Sequence, residues 1–121
     1  MKRDMDLIRK MLLLVEDAEH GFAPTDMKID GNTEEQIGYH AYLLVDSGLA
    51  EGADVTHMGS SGPQYILTRL TWAGHDFADA CRDQTVWEKA KATVKGKVSS
   101  VTFDVMKELL TSFLKAAVGL T

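Results

Sequence analysis

The sequence predicts an α+β fold, mainly helical, with one small antiparallel hairpin and a C-terminal helical extension. Three observations predict it. Apolar residues recur at three- and four-residue intervals through most of the 121 residues. Two strand-like runs flank Gly59-Ser60-Ser61-Gly62-Pro63, a turn without bulky side chains. The hydrophobic fraction of 45% and the charged fraction of 26% belong to a folded chain rather than a disordered one.

The first predicted helix spans Asp4 to Glu19. Leu7, Ile8, Met11, Leu12, Val15 and Ala18 form its apolar stripe, Asp4 caps it, and Gly21 with Pro24 stops it. Thr25–Asp30 then alternates, Met27 and Ile29 against Asp26, Lys28 and Asp30, which predicts a short strand. Asn32 or Thr33 caps a second helix, with Glu34 and Glu35 in its first turn, where the helix dipole favours acids. Ile37, Ala41, Leu44 and Val45 are its buried stripe, and Ser47-Gly48 ends it.

Leu49 to Met58 and Gln64 to Leu70 pair as the hairpin. Thr71 caps a short helix, Trp72 to Arg82, that buries Phe77 and Ala78. A basic helix follows from Val86 to Lys95, with Val86, Trp87, Ala90 and Val94 on its apolar side. A linker at Gly96 to Ser100 leads into the last helix, Val101 to Val118. Phe103, Met106, Leu110, Phe113, Ala117 and Leu120 keep three-four spacing there, widened by Leu109 and Leu114. Two domains result, 1–83 and 84–121. The tail either packs on the core or forms a homodimer seam through Met106, Leu110, Phe113 and Ala117.

Charge is divided along the chain. Residues 1–86 carry 7 Lys+Arg against 15 Asp+Glu, a net of −8, and residues 87–121 carry 6 against 3, a net of +3. The acidic part repels a phosphate backbone unless its few cations share one face. The longest apolar run, Met11 to Val15, is far too short to cross a bilayer, and the opening MKRDMD is not a secretory signal. A lone cysteine, Cys81, forms no internal disulfide, so the expected compartment is the cytoplasm.

No catalytic, cofactor or metal site is expected. His20, His40, His57 and His75 lack the close spacing of metal ligands. Cys81 beside Arg82 is read as a small apolar filler, and Asp76, Asp79 and Asp83 as a solvated helix face. There is no phosphate loop, nucleophile elbow or HExxH.

Helix, short strand, helix, two-stranded wing and helix is the order of a winged helix. Two local patterns are similar to that fold: Leu44-Val45-Asp46-Ser47-Gly48-Leu49, and Tyr65-Ile66-Leu67-Thr68 running through Gly74-His75. Gly48 lets the chain reverse, and Leu49, Ile66 and Leu70 are expected to close the wing over the core. The stretches MKRDMDLIRKMLL, TEEQIGYHAYLLVDSGLAEG and LTRLTWAGHDFADACRDQTVWEKAK resemble the DUF2513 family of bacterial and phage-borne proteins, over roughly residues 1–91. That resemblance implies a winged-helix-like fold and a bacterial or prophage setting, and no mechanism.

The expected function is therefore a non-enzymatic macromolecule-binding module. One form is a DNA-binding transcriptional regulator. Helix 33–47 would lie in a major groove, with Thr33, Gln36, Tyr39 and His40 on an outer face, and Ser60, Ser61 and Arg69 of the wing beside the backbone. The alternative is an acidic protein-interaction module, an adaptor or phage factor that binds and modulates a host protein. The segment Pro24 to Ser60 holds a single cation, Lys28, which weighs against DNA. For His40 the competing role is a structural hydrogen bond, and for Tyr39 it is packing under the wing.

Overall fold

A computed structural model describes residues 1–24, 26–95 and 102–119, without the side chain of Phe103. Thr25, the linker 96–100, Val101 and the stripe positions Phe103 (its side chain) and Leu120 lie outside the described residues. The elements run α1 (Met5–Glu16), α2 (Glu34–Asp46), β1 (Ala50–Asp54), β2 (Tyr65–Leu70), α3 (Trp72–Cys81), α4 (Gln84–Val94) and α5 (Phe103–Ala117). The fold is α+β and mainly helical. Among the described residues, no helix is long and apolar enough to cross a membrane. The chain divides into two compact units, Met1–Ala78 and Asp79–Thr121.

In the first unit, α1 starts where the Asp4 carboxylate accepts the N–H groups of Asp6 and Leu7 at 3.0 and 3.2 Å. Its inward stripe of Leu7, Ile8, Met11, Leu12 and Val15 is fully buried. A capping box opens α2. Thr33 Oγ1 accepts the Gln36 N–H at 3.1 Å, and Gln36 Oε1 accepts the Thr33 N–H at 2.8 Å. At its far end Gly48 takes a left-handed φ of 82°. The N–H of Leu49 then reaches Leu44 C=O, and that of Gly48 reaches Val45 C=O, both at 3.0 Å. This Schellman closure brings the buried Leu49 back onto the buried Leu44.

Among the described residues the sheet has two antiparallel strands. Ala50 faces Leu70 and Glu51 faces Arg69, but Gly52 faces Leu67, so one extra residue, Thr68, is inserted in β2. The bulge resets the two-residue alternation and lets Leu67 and Leu70, three apart, both point into the core. Ile66, expected to help close the wing, is instead 47% exposed.

The strand expected at Thr25–Asp30 is not present among the described residues 26–30. Met27 and Ile29 are more covered than Asp26, Lys28 and Asp30, so the alternation does mark sidedness. A strand also needs a paired backbone, and here the main-chain bond to β2 comes one step earlier, from Ala23 N–H to Thr68 C=O at 2.8 Å.

Helix α3 begins on Thr71, whose Oγ1 accepts the Gly74 N–H at 3.1 Å and donates to Gly48 C=O at 2.6 Å. In the second unit, Asp83 caps α4 by accepting the Val86 N–H at 2.9 Å. Helices α4 and α5 pack together, with Lys89 Nζ 4.5 Å from the centre of the Phe113 ring. Trp87, Ala90, Met106 and Leu110 are buried.

Candidate functional site

The α2–wing surface gathers most of the side chains singled out above, and their geometry changes their meaning. In the capping box Thr33 Oγ1 and Gln36 Oε1 are both engaged as acceptors. His40, expected on the outer face, is 2% exposed. Its Nε2 accepts the backbone N–H of Asp4 at 2.8 Å, and its Nδ1 lies 2.8 Å from Gln36 C=O. Both bonds are satisfied by the neutral ring carrying its proton on Nδ1, an assignment made from the partners. His40 is therefore a structural residue. Three residues after Ile37 and four before Leu44, it sits on the buried stripe, a signal present in the sequence.

Tyr39 is half-buried, edge-on to His40 with ring centres 5.8 Å apart. The aromatic contact with the wing comes instead from Tyr42, 5.5 Å from Tyr65. Arg69 is exposed but paired across the sheet, its Nε 2.8 Å from Glu51 Oε2.

The wing tip is tied to the start of α2. Ser61 Oγ donates to the Glu35 carboxylate, and Gln64 Nε2 donates to Glu35 C=O at 3.1 Å. Gly38 makes this close approach feasible, because a Cβ there would meet the Gln64 amide oxygen. Ser60 Oγ accepts the His57 N–H at 3.1 Å and holds the turn. Next to it, the Thr56 hydroxyl and then the Thr56 backbone N–H hold the exposed Asp54 carboxyl below its ordinary value of 3.8. The first turn of α2 presents the acids Glu34 and Glu35 to solvent, and the tip presents His57, Met58 and Ser61.

A cleft of about 260 Å³ lies behind this tip, between α2 and β2. Met11, Met27, Ile37, Ala41, Val55, Ile66 and Leu67 supply its apolar surface, and Asp26 and Glu34 stand among its lining. Val55 and Ile66 were legible as apolar residues on opposite strands, but the bulge that turns Ile66 outward was not.

The remaining candidates stand apart. His20, His57 and His75 are exposed, and His75 Nδ1 lies 3.3 Å from Glu16 Oε2. Among the described residues no group of His, Cys, Asp and Glu is placed to hold a metal ion. Cys81 is buried, whereas Asp76, Asp79 and Asp83 are exposed. Of the proposed seam residues, Met106 and Leu110 are closed off within a single chain, Phe113 is half-buried, and Ala117 is exposed. A seam needs an open stripe, and Met106 and Leu110 are buried within the one chain.

The family model described as "Hypothetical protein (DUF2513)" matches residues 2–100. A protein of Haemophilus influenzae described as uncharacterized is 36% identical over 112 residues, an alignment covering 90% of this chain and 92% of that one. No solved structure matches the chain.

Proposed function

The chain belongs to the DUF2513 family, and we propose that it serves there as a non-enzymatic protein-interaction module, an adaptor acting through its acidic α2–wing face. One observation carries the reading. The face that a winged helix would lay in a DNA groove offers Glu34 and Glu35 to solvent, while Thr33, Gln36 and His40 are held by capping and burial. Carboxylates at that position repel phosphates. The exposed cation nearest in role, Arg69, is already matched by Glu51. A partner with basic and apolar side chains fits this surface better than a nucleic acid does.

The absence of catalysis is part of the proposal. The histidine with the most defined surroundings, His40, has both ring nitrogens engaged with backbone groups, which leaves neither for proton transfer. The bacterial cytoplasm, with a phage or prophage origin, is the setting this reading takes, and the working form is a monomer because Met106 and Leu110 are buried.

The test is retention of the purified protein on mixed duplex DNA across a salt series, with light scattering for the oligomeric state. The expected result is no retention even at low salt, and a monomer. Tight binding that weakens steeply with salt would replace this reading with the DNA-binding regulator.

A further inference from the structure

Resting on the protein-interaction reading, we propose that the open edge of β2 and the apolar cleft beside it take up an extended partner segment alternating apolar and basic side chains. The edge comes from the topology. Among the described residues the sheet has two strands, so β2 has a strand neighbour on one side only. Val55 N–H donates to Gln64 C=O at 2.8 Å, which turns the Gln64 backbone toward β1. By the alternation of an antiparallel ladder, Tyr65 and Leu67 then direct their N–H groups to the other side. Among the described residues, one backbone bond reaches β2 from there, Ala23 N–H to Thr68 C=O. It marks the point at which a pairing chain leaves the edge.

The cleft supplies what a bare edge lacks, a place for side chains. Val55 and Ile66 are 42% and 47% exposed, and with Met27, Ile37, Ala41 and Leu67 they line about 260 Å³. That space suits one or two aliphatic side chains of an added strand. In recognition of this kind, main-chain hydrogen bonds supply affinity and alternate side chains supply specificity.

Charge selects the occupant. Asp26 and Glu34 line the cleft, and no Lys or Arg is among its lining residues. Lys28 reaches Asp26 at 3.6 Å, but both side chains are about three-quarters exposed, so the pair screens little. Residues 1–78 carry 6 Lys+Arg against 13 Asp+Glu. A second copy would bring the same acids to the same place, and a nucleic acid would bring phosphates. Lysine or arginine on the outward positions of the peptide is the complementary choice.

The experiment selects a random octapeptide display library on the intact protein, then synthesises the enriched peptides. Enrichment of alternating apolar and Lys/Arg positions is expected. Binding should slow amide exchange at Tyr65 and Leu67. It should weaken about tenfold when one edge-facing peptide amide is N-methylated, and by a similar factor in Glu34→Lys. No enrichment overturns the proposal. So do enriched peptides that tolerate N-methylation and leave Tyr65 and Leu67 unchanged; these would keep the interaction reading and move the site elsewhere. Failure of the interaction reading itself is seen separately, as salt-sensitive DNA retention.

Discussion

The imidazole of His40 holds the backbone N–H of Asp4 at 2.8 Å, and Asp4 is the residue whose carboxylate caps α1. One side chain on the second helix thus fixes the first turn of the first. Its other nitrogen returns to Gln36 C=O, one turn back on its own helix. Two backbone groups and a buried volume depend on the ring.

Replacing His40→Ala should cost about 2–4 kcal/mol, from a cavity plus two deserted backbone groups. Asp4→Ala should cost about 1 kcal/mol, because it deletes the cap and keeps the N–H that His40 accepts. Urea unfolding of the two variants checks both the size and the order.

Glycine substitutions should separate by what stands over each Cα. At Gly74, a Cβ would collide with the backbone oxygen of Leu49, so Gly74→Ala should lose at least about 2 kcal/mol. At Gly62 nothing lies within 4 Å, and alanine there should change stability by less than about 0.5 kcal/mol. Gly38→Ala meets only the flexible Gln64 side chain, and alanine favours a helix interior by about 1 kcal/mol. Its stability should hold while amide exchange at Ser61 to Gln64 speeds up, as Gln64 lets go of Glu35. Equal losses at all three positions would contradict the packing described.

Much of the fold was legible because periodicity reports burial directly. The stripe from Leu7 to Val15 and the pairing of residues 50–54 with 65–70 both follow from apolar spacing and turn chemistry. What escaped depends on partners rather than on period. Met27 and Ile29 alternate correctly without a strand to pair with. The inserted Thr68, which turns Ile66 outward, leaves no composition signal. At the site, Thr33 and Gln36 were recognisable as polar residues, but only the closed capping box shows Thr33 Oγ1 and Gln36 Oε1 already engaged. For His40 the phase set by Ile37, Ala41 and Leu44 predicts the outer face, yet three residues after Ile37 and four before Leu44 it lies on their buried stripe.

Asp54 gives a pH signature. Its carboxyl is held below 3.8 by the Thr56 hydroxyl first and the Thr56 N–H second. A lowered folded value means the contribution to stability is complete above the ordinary carboxyl value and disappears as pH falls through the lowered one. Thr56→Val removes the hydroxyl and leaves the N–H, so the Asp54 titration should move part of the way back up. Carboxyl-carbon NMR shifts through an acid titration read this directly; no movement would remove the Thr56 hydroxyl as a cause.

The Glu51–Arg69 pair should contribute little to folding despite its 2.8 Å separation, since both side chains are more than half exposed. A double-mutant cycle with Glu51→Ala and Arg69→Ala should give a coupling below about 1 kcal/mol that shrinks with added salt. A larger, salt-independent coupling would mean the pair is sheltered from water.

The link from His40 to Asp4 also bears on how the chain is made. On the ribosome, α1 is complete many residues before its partner ring is added to the chain. At 12 residues, a helix alone in water is marginal. The N-terminal segment therefore waits, unlatched and with its apolar stripe uncovered, until position 40 has cleared the exit tunnel. During that interval it is a target for chaperones and proteases, and synonymous codons that slow translation before His40 would lengthen it.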